Sequence, residues 1–483
     1  MIRPKLEVLS KDEIDEIHRR SLGILSRVGI KIEHEEALKL LKDIGAEVDF
    51  NKKIAKIPEH IVNEALKRAP STVRLYHRDG KRYIELGGWN TYFSMDGGAY
   101  LYVDWKTGEI RRLLSRDLAE VARIVDALLN VNLAAYLVPA DVPEIITDRW
   151  EVYVLVKNTS KPITASAYTL DGVPDVAKIM ATIIGEENIS KKPFLIHPIC
   201  SESPLTWSKL IAQLLMDCAR YKIPVRLTPI PSAGGTSPAT LAGTIVQVNA
   251  EVLSGIVIAQ FTRPGAPVVY TASPLILDQR FGTSIYGAVE VGLMASAFSQ
   301  LAKFYNIPCG YWGLMGSDAK IPDPQAALEA AFNALMAALS GVNIVLGAGA
   351  IQSVLGVSPV KLVIDDDIAG MALRASKGVL VNVETLADWL VEEVGPGGHF
   401  LKYKHTREWA RREYYIPKLL DKSSIQTWKE RGARTLNEVA KEYVEKILKE
   451  HVVEPLPPDI ERELDKTILE IAKRYGIEKL PQI

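Results

Sequence analysis

Residues 193–230 read PFLIHPICSESPLTWSKLIAQLLMDCARYKIPVRLTPI, and this stretch decides the fold class. It holds two short apolar segments, PFLIHPI from Pro193 and PVRLTPI from Pro224, each bounded by proline. Between them lies a stretch of helical period that begins near Pro204. A strand, a helix and a second strand in this order predict a βαβ unit, whose two strands run parallel.

The same unit recurs along the chain. The other apolar segments are TYFSM from Thr91, NLAAYLVP from Asn132, KPITASAY from Lys161, PVVYTA from Pro267, PCGYWG from Pro308 and NIVLGAG from Asn343. A helical stretch follows each of the eight, with starts near Ser115, Thr147, Val173, Pro204, Pro238, Gly282, Pro324 and Pro359. Eight repeats spaced by about 30–40 residues predict an α/β fold of the (β/α)₈ TIM-barrel type. The alternative is an open doubly wound sheet, but the chain has no GxGxxG loop after its first strand.

Two regions flank the barrel, which we expect to be the catalytic domain and to span residues 91–382. Residues 1–90 predict an N-terminal α+β extension, with a helix capped at Ser10 and a hairpin turn at Asp79-Gly80. Residues 383–483 predict a C-terminal helical extension, with two long charged helices at about 424–450 and 459–475.

The composition is that of a globular protein. The 483 residues are 47% hydrophobic and 24% charged, and 58 basic residues balance 59 acidic ones. A net charge of −1 gives no general attraction for nucleic acid or an anionic membrane. The three cysteines form no CxxC pair, which favours a reducing cytoplasm over a disulfide framework.

Two features of the hydropathy pattern argue against a membrane protein. The first residues, MIRPKLEVLSKDE, lack the apolar core of a secretory signal. The longest apolar stretch, Leu241–Phe261, carries Gln247, Asn249 and Glu251 near its centre. We therefore expect it to be a buried helix rather than a membrane span.

Aromatic residues cluster near the predicted strand ends, where TIM barrels place their active sites. Aromatic faces attract a desolvated cation, above all a quaternary ammonium. The predicted substrate-binding residues are Tyr92, Phe93, Tyr168, Tyr270, Tyr311 and Trp312, with Tyr286 close by. The alternative is that these rings fill the barrel or its interface with the helices.

Four polar candidates lie in or after three of the strands. Asp96 and Asp318 are predicted to face an ammonium group, and His197 and Lys320 to meet a substrate carboxylate. The sequence shows no strong metal-ligand spacing and no dinucleotide motif, so we expect no metal and no tightly bound cofactor.

Three other chemistries remain open from the residues alone. His197, Cys200 and Cys309 could bind zinc at adjacent strand ends. Lys320 could form a Schiff base, although it lies in a loop rather than within a strand. Asp365, Asp366 and Asp367 could bind a divalent cation, but a solvated first turn of a helix is the preferred interpretation.

Several stretches together resemble the trimethylamine methyltransferase family of corrinoid-protein-dependent methyltransferases, in particular its branch without pyrrolysine. They are VGIKIEHEEALKLLKDIGA (28–46), TGEIRRLLSRDLAEVARIVDAL (107–128), KNTSKPI (157–163), TSPATLAGTIVQVNAEVLSGIVIAQFTRPGAPVVY (236–270), SDAKIPDPQAA (317–327), VIDDDIAGM (363–371) and GPGGHF (395–400). The resemblance implies a TIM barrel and methyl transfer from a methylated amine to the Co(I) cobalamin of a separate corrinoid protein. It places the family's pyrrolysine at or near Lys320, and this chain has only standard residues.

The chemistry of the donor agrees with that branch. A quaternary nitrogen departs as a neutral tertiary amine, so no general acid is required, and positioning over aromatic faces is the main task of the protein. We expect a cytoplasmic methyltransferase for a quaternary, glycine betaine-like amine, forming a homo-oligomer and binding its corrinoid partner transiently. The alternatives are a zinc-dependent corrinoid methyltransferase for another donor and a non-catalytic quaternary-amine-binding protein.

Overall fold

The computed structural model describes residues 3–95 and 97–483, and its centre is a closed barrel of eight parallel strands. The strands are β1 (Tyr92–Met95), β2 (Val131–Ala135), β3 (Ile163–Thr164), β4 (Leu195–Ile199), β5 (Val225–Leu227), β6 (Val268–Thr271), β7 (Cys309–Tyr311) and β8 (Ile344–Ala348). β8 pairs with β1, which closes the ring. Each strand overlaps the apolar segment predicted for it, so the predicted TIM barrel is confirmed.

Eight helices return the chain between the strands. They are α1 (Ser115–Ala127), α2 (Thr147–Asn158), α3 (Gly172–Ile184), α4 (Lys209–Tyr221), α5 (Leu241–Thr262), α6 (Val289–Phe304), α7 (Pro324–Ser340) and α8 (Pro359–Ser376), with single 3₁₀ turns at Glu144–Ile146 and Glu186–Asn188. α4 and α6 begin later than predicted because the loops before them form strands. One of these, Thr206–Trp207, pairs with Ile30–Ile32 near the N-terminus.

The N-terminal region packs against the side and the amino end of the barrel. Its helices are Lys11–Arg27, Glu35–Asp43 and Glu59–Arg68, and its strands are Ile30–Ile32, Glu47–Asp49, Ile54–Lys56 and the hairpin Val73–Tyr76 with Tyr83–Leu86. The hairpin buries Val73, Leu75, Ile84 and Leu86 against side chains from inside the barrel. It therefore fills the amino end of the lumen, and we call this layer the floor.

Loops after the strands build two small sheets at the opposite, carboxyl end. One has the order Ala350–Ile351, Gly356–Val357, Leu101–Val103, Ile110–Arg112; the other has the order Ser232–Ala233, Leu275–Asp278, Thr283–Ile285. We call this end of the barrel the mouth.

The C-terminal region lies on the outside of the helix ring. Its helices are Val383–Leu386, Asp388–Val394, Lys404–Glu413, Ile425–Glu430, Leu436–Glu450 and Pro458–Arg474. Leu436–Glu450 packs on α8 and α1, and Pro458–Arg474 packs on α3 and α2. The single helix predicted over 424–450 is two helices, because the chain turns at Gly432, whose φ is 93°.

The three consecutive aspartates correct one prediction. Asp365, Asp366 and Asp367 lie in the middle of α8 and are almost fully buried, so they are not a solvated first turn. Each accepts backbone N–H bonds from a different segment: Asp365 from Gly349, Asp366 from residues 130 and 131, and Asp367 from residues 418 and 419. They tie α8 to β8, β2 and the C-terminal region.

Among the described residues, one helix, α5, is long and apolar enough to cross a membrane by length and composition. Of its most apolar window, 78% is buried inside the protein. Its Glu251 accepts bonds from the Ser203 hydroxyl and the Leu205 N–H. The predicted buried helix is confirmed.

Candidate active site

The strand register divides the barrel residues into an inward and an outward set. Ile196, Val269 and Ile344 belong to the floor, so they point into the lumen. Residues paired with them across parallel strands point the same way, which places Thr164 and Arg226 in the lumen. Thr271 joins them through Gly310, the partner of Ile344. A polar layer therefore lies within the lumen.

This layer was not predicted, although the sequence carried a signal for it. Arg226 is fully buried in the otherwise apolar segment PVRLTPI, and charged residues are rarely fully buried. The hydroxyls of Thr164 and Thr271 are also buried, and neither has a hydrogen-bond partner among the described residues. Unused donors inside a closed barrel are typical of a ligand-binding lumen.

An aromatic pair lies at the mouth after β7. Trp312 follows Gly310 by two residues, so it also points inward, and it packs on the apolar side chains that line the lumen. Its ring meets that of Tyr286 edge to face, with centroids 5.6 Å apart. The Trp312 N–H donates to the Ser273 hydroxyl at 2.7 Å, which fixes the start of this loop to the end of β6.

A second pair lies at the mouth after β2 and β3. Tyr136 and Tyr168 meet edge to face, with centroids 6.5 Å apart. Tyr136 lies so close to Gly97 that a Cβ added there would be 2.2 Å from the ring, so only glycine fits after β1. Tyr136 was not among the predicted binding residues, although it directly follows Ala135, the last residue of β2.

Two carboxyl groups of α2 hold Tyr168. Asp148 accepts its backbone N–H at 2.8 Å, and Glu151 lies 3.4 Å from its hydroxyl through both carboxyl oxygens. Glu151 has no exposed surface, and burial raises its pKa well above the usual range of a glutamate. A carboxyl group whose charged form is disfavoured by burial therefore lies beside the hydroxyl of Tyr168.

Asp318 connects three loops of the mouth. Its carboxylate accepts the backbone N–H groups of Tyr286 and Gly287 and the hydroxyl of Ser353. The arrangement fixes the backbone of Tyr286, and with it one ring of the first pair. Lys320 is exposed in the same loop, where its ammonium donates to the Asp318 carbonyl at 2.7 Å.

The structure does not bring the six predicted aromatic residues together. Tyr92 lies at the floor, where its hydroxyl accepts the Glu85 N–H at 3.4 Å. Phe93 pairs in register with outward-facing Val345. Tyr270 bonds to Asn249 of α5 and Tyr311 to the Pro274 carbonyl, and both rings are fully buried in the layer between strands and helices.

His197 also lies on the outer side of its strand, between Leu195 and Ile199, which both belong to that layer. Its Nδ1 is 2.8 Å from the Pro198 carbonyl, and burial lowers its pKa to about 4, so the ring is neutral. Cys309 lies in the same layer, with its thiol 3.5 Å from the Ser299 hydroxyl. Among the described residues, no three His, Cys, Asp or Glu side chains are grouped to hold a metal ion. Asp96 lies outside the described residues.

Comparison with known proteins agrees with this geometry. The family model described as "Trimethylamine methyltransferase (MTTB)" matches residues 2–475. A trimethylamine methyltransferase of Methanosarcina barkeri (strain Fusaro) is 35% identical over 98% of this chain and 96% of its own. The glycine betaine methyltransferase of Desulfitobacterium hafniense (strain Y51) is 34% identical over 98% of this chain and 99% of its own.

A solved structure shares the fold. The monomethylamine methyltransferase of Methanosarcina barkeri superimposes with a TM-score of 0.52 at 12% identity, covering 92% of this chain and 89% of that one. The fold, the mouth and the full-length match together define a TIM-barrel methyltransferase. The chain belongs to the trimethylamine methyltransferase family.

Proposed function

We propose that this enzyme transfers a methyl group from a quaternary, glycine betaine-like amine to the Co(I) cobalamin of a separate corrinoid protein. The observation that carries the proposal is the presence of two edge-to-face aromatic pairs at the carboxyl ends of the strands. Relatives named for trimethylamine and for glycine betaine support a methylated amine as donor. Only standard residues are present, which favours the quaternary amine.

The aromatic pairs suit a cation that carries no N–H bonds. A quaternary ammonium cannot donate a hydrogen bond through nitrogen, so ring faces are the main groups that attract it in a desolvated site. We assign this role to Trp312, Tyr286, Tyr168 and Tyr136, two of which were predicted as substrate-binding residues. Asp96 remains our proposal for a carboxylate near the ammonium.

The remaining polar candidates act at different distances from the substrate. Asp318 positions Tyr286 through its backbone, and neutral His197 packs against the barrel from outside the lumen, in the middle of β4. Lys320 is solvent-exposed at the mouth, where it can meet an anionic group of substrate or partner.

The transfer itself needs little acid–base chemistry. The methyl carbon passes to the cobalt, which provides both bonding electrons, and the bonding pair of the broken C–N bond remains on nitrogen. The leaving group is then a neutral tertiary amine. The work of the enzyme is to exclude water and to aim one methyl at the cobalt, and effective molarities for such oriented steps are large.

A corrinoid protein would dock over the mouth. In the described structure the N-terminal hairpin occupies the floor and the long C-terminal helices cover α1, α2, α3 and α8, so both leave the carboxyl ends to the loops. The near-zero net charge predicts a transient complex with weak salt dependence. We propose a cytoplasmic location, where such a partner would be reduced.

The decisive experiment is a screen of methylated amines with free Co(I) cobalamin, read by the cobalt absorption change. Glycine betaine and other quaternary amines are expected to methylate the cobalt, and mono-, di- and trimethylamine are not. Turnover of trimethylamine but of no quaternary amine would contradict the proposal. Saturable binding of a quaternary amine without cobalt methylation would favour the non-catalytic binding protein, and activity that depends on added zinc would favour the zinc enzyme.

A further inference from the structure

Arg226 is the one charged side chain among the described residues of the eight barrel strands, since His197 is neutral. It points into the lumen, because it pairs in register with Val269 of the apolar set that lines it. An arginine side chain stays protonated in proteins, so the barrel carries a fixed positive charge on its inner side. The methyl transfer proposed above makes no use of this charge.

The depth of Arg226 follows from the layers of side chains inside the barrel. Alternate strands of a TIM barrel contribute the four members of one layer. The even-numbered strands give an apolar layer that packs against the floor hairpin, formed by Leu133, Ile196, Val269 and Ile344. The odd-numbered strands give a second layer, in which each member pairs in register with one of these four: Ser94, Thr164, Arg226 and Gly310. We call it the arginine layer, and it lies on the mouth side of the apolar one.

The open part of the lumen begins directly above the arginine layer. Ser166 and Trp312, which follow this layer by two residues after β3 and β7, are partly exposed. Arg226 itself has no exposed surface. An extended chain rises about 3.3 Å per residue, so the arginine layer lies roughly 6–7 Å below that of Trp312. A ligand among the aromatic pairs is therefore near the charge without having to touch it.

The charge of Arg226 acts beyond its own strand. Burial is the main cause that lowers the pKa of His197 to about 4, and the positive charge of Arg226 contributes to the same shift. His197 lies on the outer face of the neighbouring strand β4. A quaternary ammonium inside the lumen would experience the same repulsion, and charges interact more strongly in such a site than in water because its dielectric constant is lower.

A donor that also carries an anionic group changes this balance. When its carboxylate points towards Arg226, the attraction offsets the repulsion on the ammonium, and the whole molecule brings no net charge into the barrel. The same orientation turns the ammonium and its methyl groups towards the mouth, where the proposed corrinoid partner would dock. The reverse orientation places two positive charges next to each other and is disfavoured.

We propose that Arg226 is a specificity-determining residue for zwitterionic donors. It attracts the anionic end of a betaine into the lumen and repels quaternary amines that lack such a group, so it combines an attractive with a repulsive element. This inference rests on the proposed function, because it assumes a quaternary amine among the aromatic pairs. It adds a substrate class, the N-trimethylated amino acids, and an orientation in which the carboxylate lies deeper than the nitrogen.

The test compares glycine betaine with its amide, which keeps the shape and the quaternary nitrogen but not the negative charge. Titration calorimetry on the full-length wild type should give a Kd for glycine betaine at least about tenfold below that for the amide. R226M should abolish or reverse this preference, because glycine betaine loses an attraction while the amide loses a repulsion. R226K keeps the charge and should keep the preference of the wild type.

Two further comparisons separate the charge from a structural role. R123M is the matched control, since Arg123 is a partly buried guanidinium of α1, outside the barrel, and both Kd values should stay unchanged. Equal weakening of both ligands in R226M would overturn the inference.

The comparison of the two ligands on the wild type requires no variant to fold. Equal affinity for glycine betaine and its amide would overturn the role of Arg226, while methylation of Co(I) cobalamin by either ligand would still support the proposed function. Binding of neither ligand, with no cobalt methylation by any quaternary amine, would overturn both.

Discussion

The hydroxyl of Tyr168 lies 3.4 Å from both carboxyl oxygens of Glu151, a residue with no exposed surface. Asp148, one turn earlier in α2, holds the backbone of the same tyrosine at 2.8 Å. One helix therefore fixes both the position of Tyr168 and the direction of its ring. Burial raises the pKa of Glu151, so its carboxyl group takes up a proton more readily than that of an exposed glutamate.

Replacing Glu151 should affect the use of substrate. Gln can keep the hydrogen bond, so E151Q should retain kcat/KM for a quaternary amine, while E151L should lose about tenfold because the partly buried Tyr168 hydroxyl loses its partner. Y153F is the matched control: it removes a hydroxyl–carboxylate bond of α2 to Asp465 in the C-terminal region. Equal kinetics in E151Q and E151L would contradict the assigned role.

Trp312→Ala should weaken the binding of a quaternary amine by roughly 0.5–2 kcal/mol, because the ring lies at the mouth and faces inward. Titration calorimetry with glycine betaine measures the loss. Y311F serves as control, since the neighbouring hydroxyl bonds to the Pro274 carbonyl in the helix layer. Unchanged affinity in the Trp312 variant would indicate that the cation binds at Tyr136 and Tyr168 instead.

His197 should make folding stability depend on pH. Its pKa is about 4 in the folded protein and 6.5 when unperturbed, so between these values the unfolded chain binds the proton more readily. The contribution of neutral His197 to the free energy of unfolding is complete above pH 6.5. It is lost as the pH falls towards 4, by about 3 kcal/mol in total. Urea unfolding of wild type and H197N at pH 7 and pH 5 measures it, and parallel losses in both proteins would exclude His197 as the cause.

Lys361 and Asp365 form a buried ion pair of 2.6 Å within α8. K361M should lower the free energy of unfolding by roughly 3–5 kcal/mol, because it leaves the carboxylate buried without its cation. K361M/D365L should recover much of this loss. K418M, which removes a half-exposed partner of Asp366, should cost less than about 1 kcal/mol in the same urea titration. Equal effects of K361M and K418M would show that burial does not matter here.

The barrel could be predicted because each strand is short, apolar and mostly bounded by proline, glycine or asparagine, and because eight such segments alternate with helices. The facing of individual residues could not be predicted in the same way. Side chains alternate along a strand, so an error of one residue exchanges lumen and helix layer. For this reason Phe93, Tyr270 and Tyr311 were predicted to bind substrate, although their side chains face the helix layer.

The candidate site was predicted in part. Tyr168 and Trp312 lie at the mouth as expected, and Arg226 carried a readable signal, as a charge within an apolar strand. Glu151 had no such signal, because an acidic residue in the helical segment TDRWEVYVLVKN is ordinary until packing shows that it faces inward. The burial of Asp365, Asp366 and Asp367 could not be predicted from the sequence either, because the segments that bond to them are distant along the chain.

The hairpin at the floor has a consequence for the order of events. Because Val73–Tyr76 and Tyr83–Leu86 fill the amino end of the lumen, the proposed amine and corrin would both enter from the carboxyl end of the barrel. For the proposed reaction, the donor must enter before the corrinoid protein docks, and the demethylated amine must wait until it departs. The proposed reaction would then follow an ordered mechanism, in which binding and release of the corrinoid protein set the rate at which donor and product exchange.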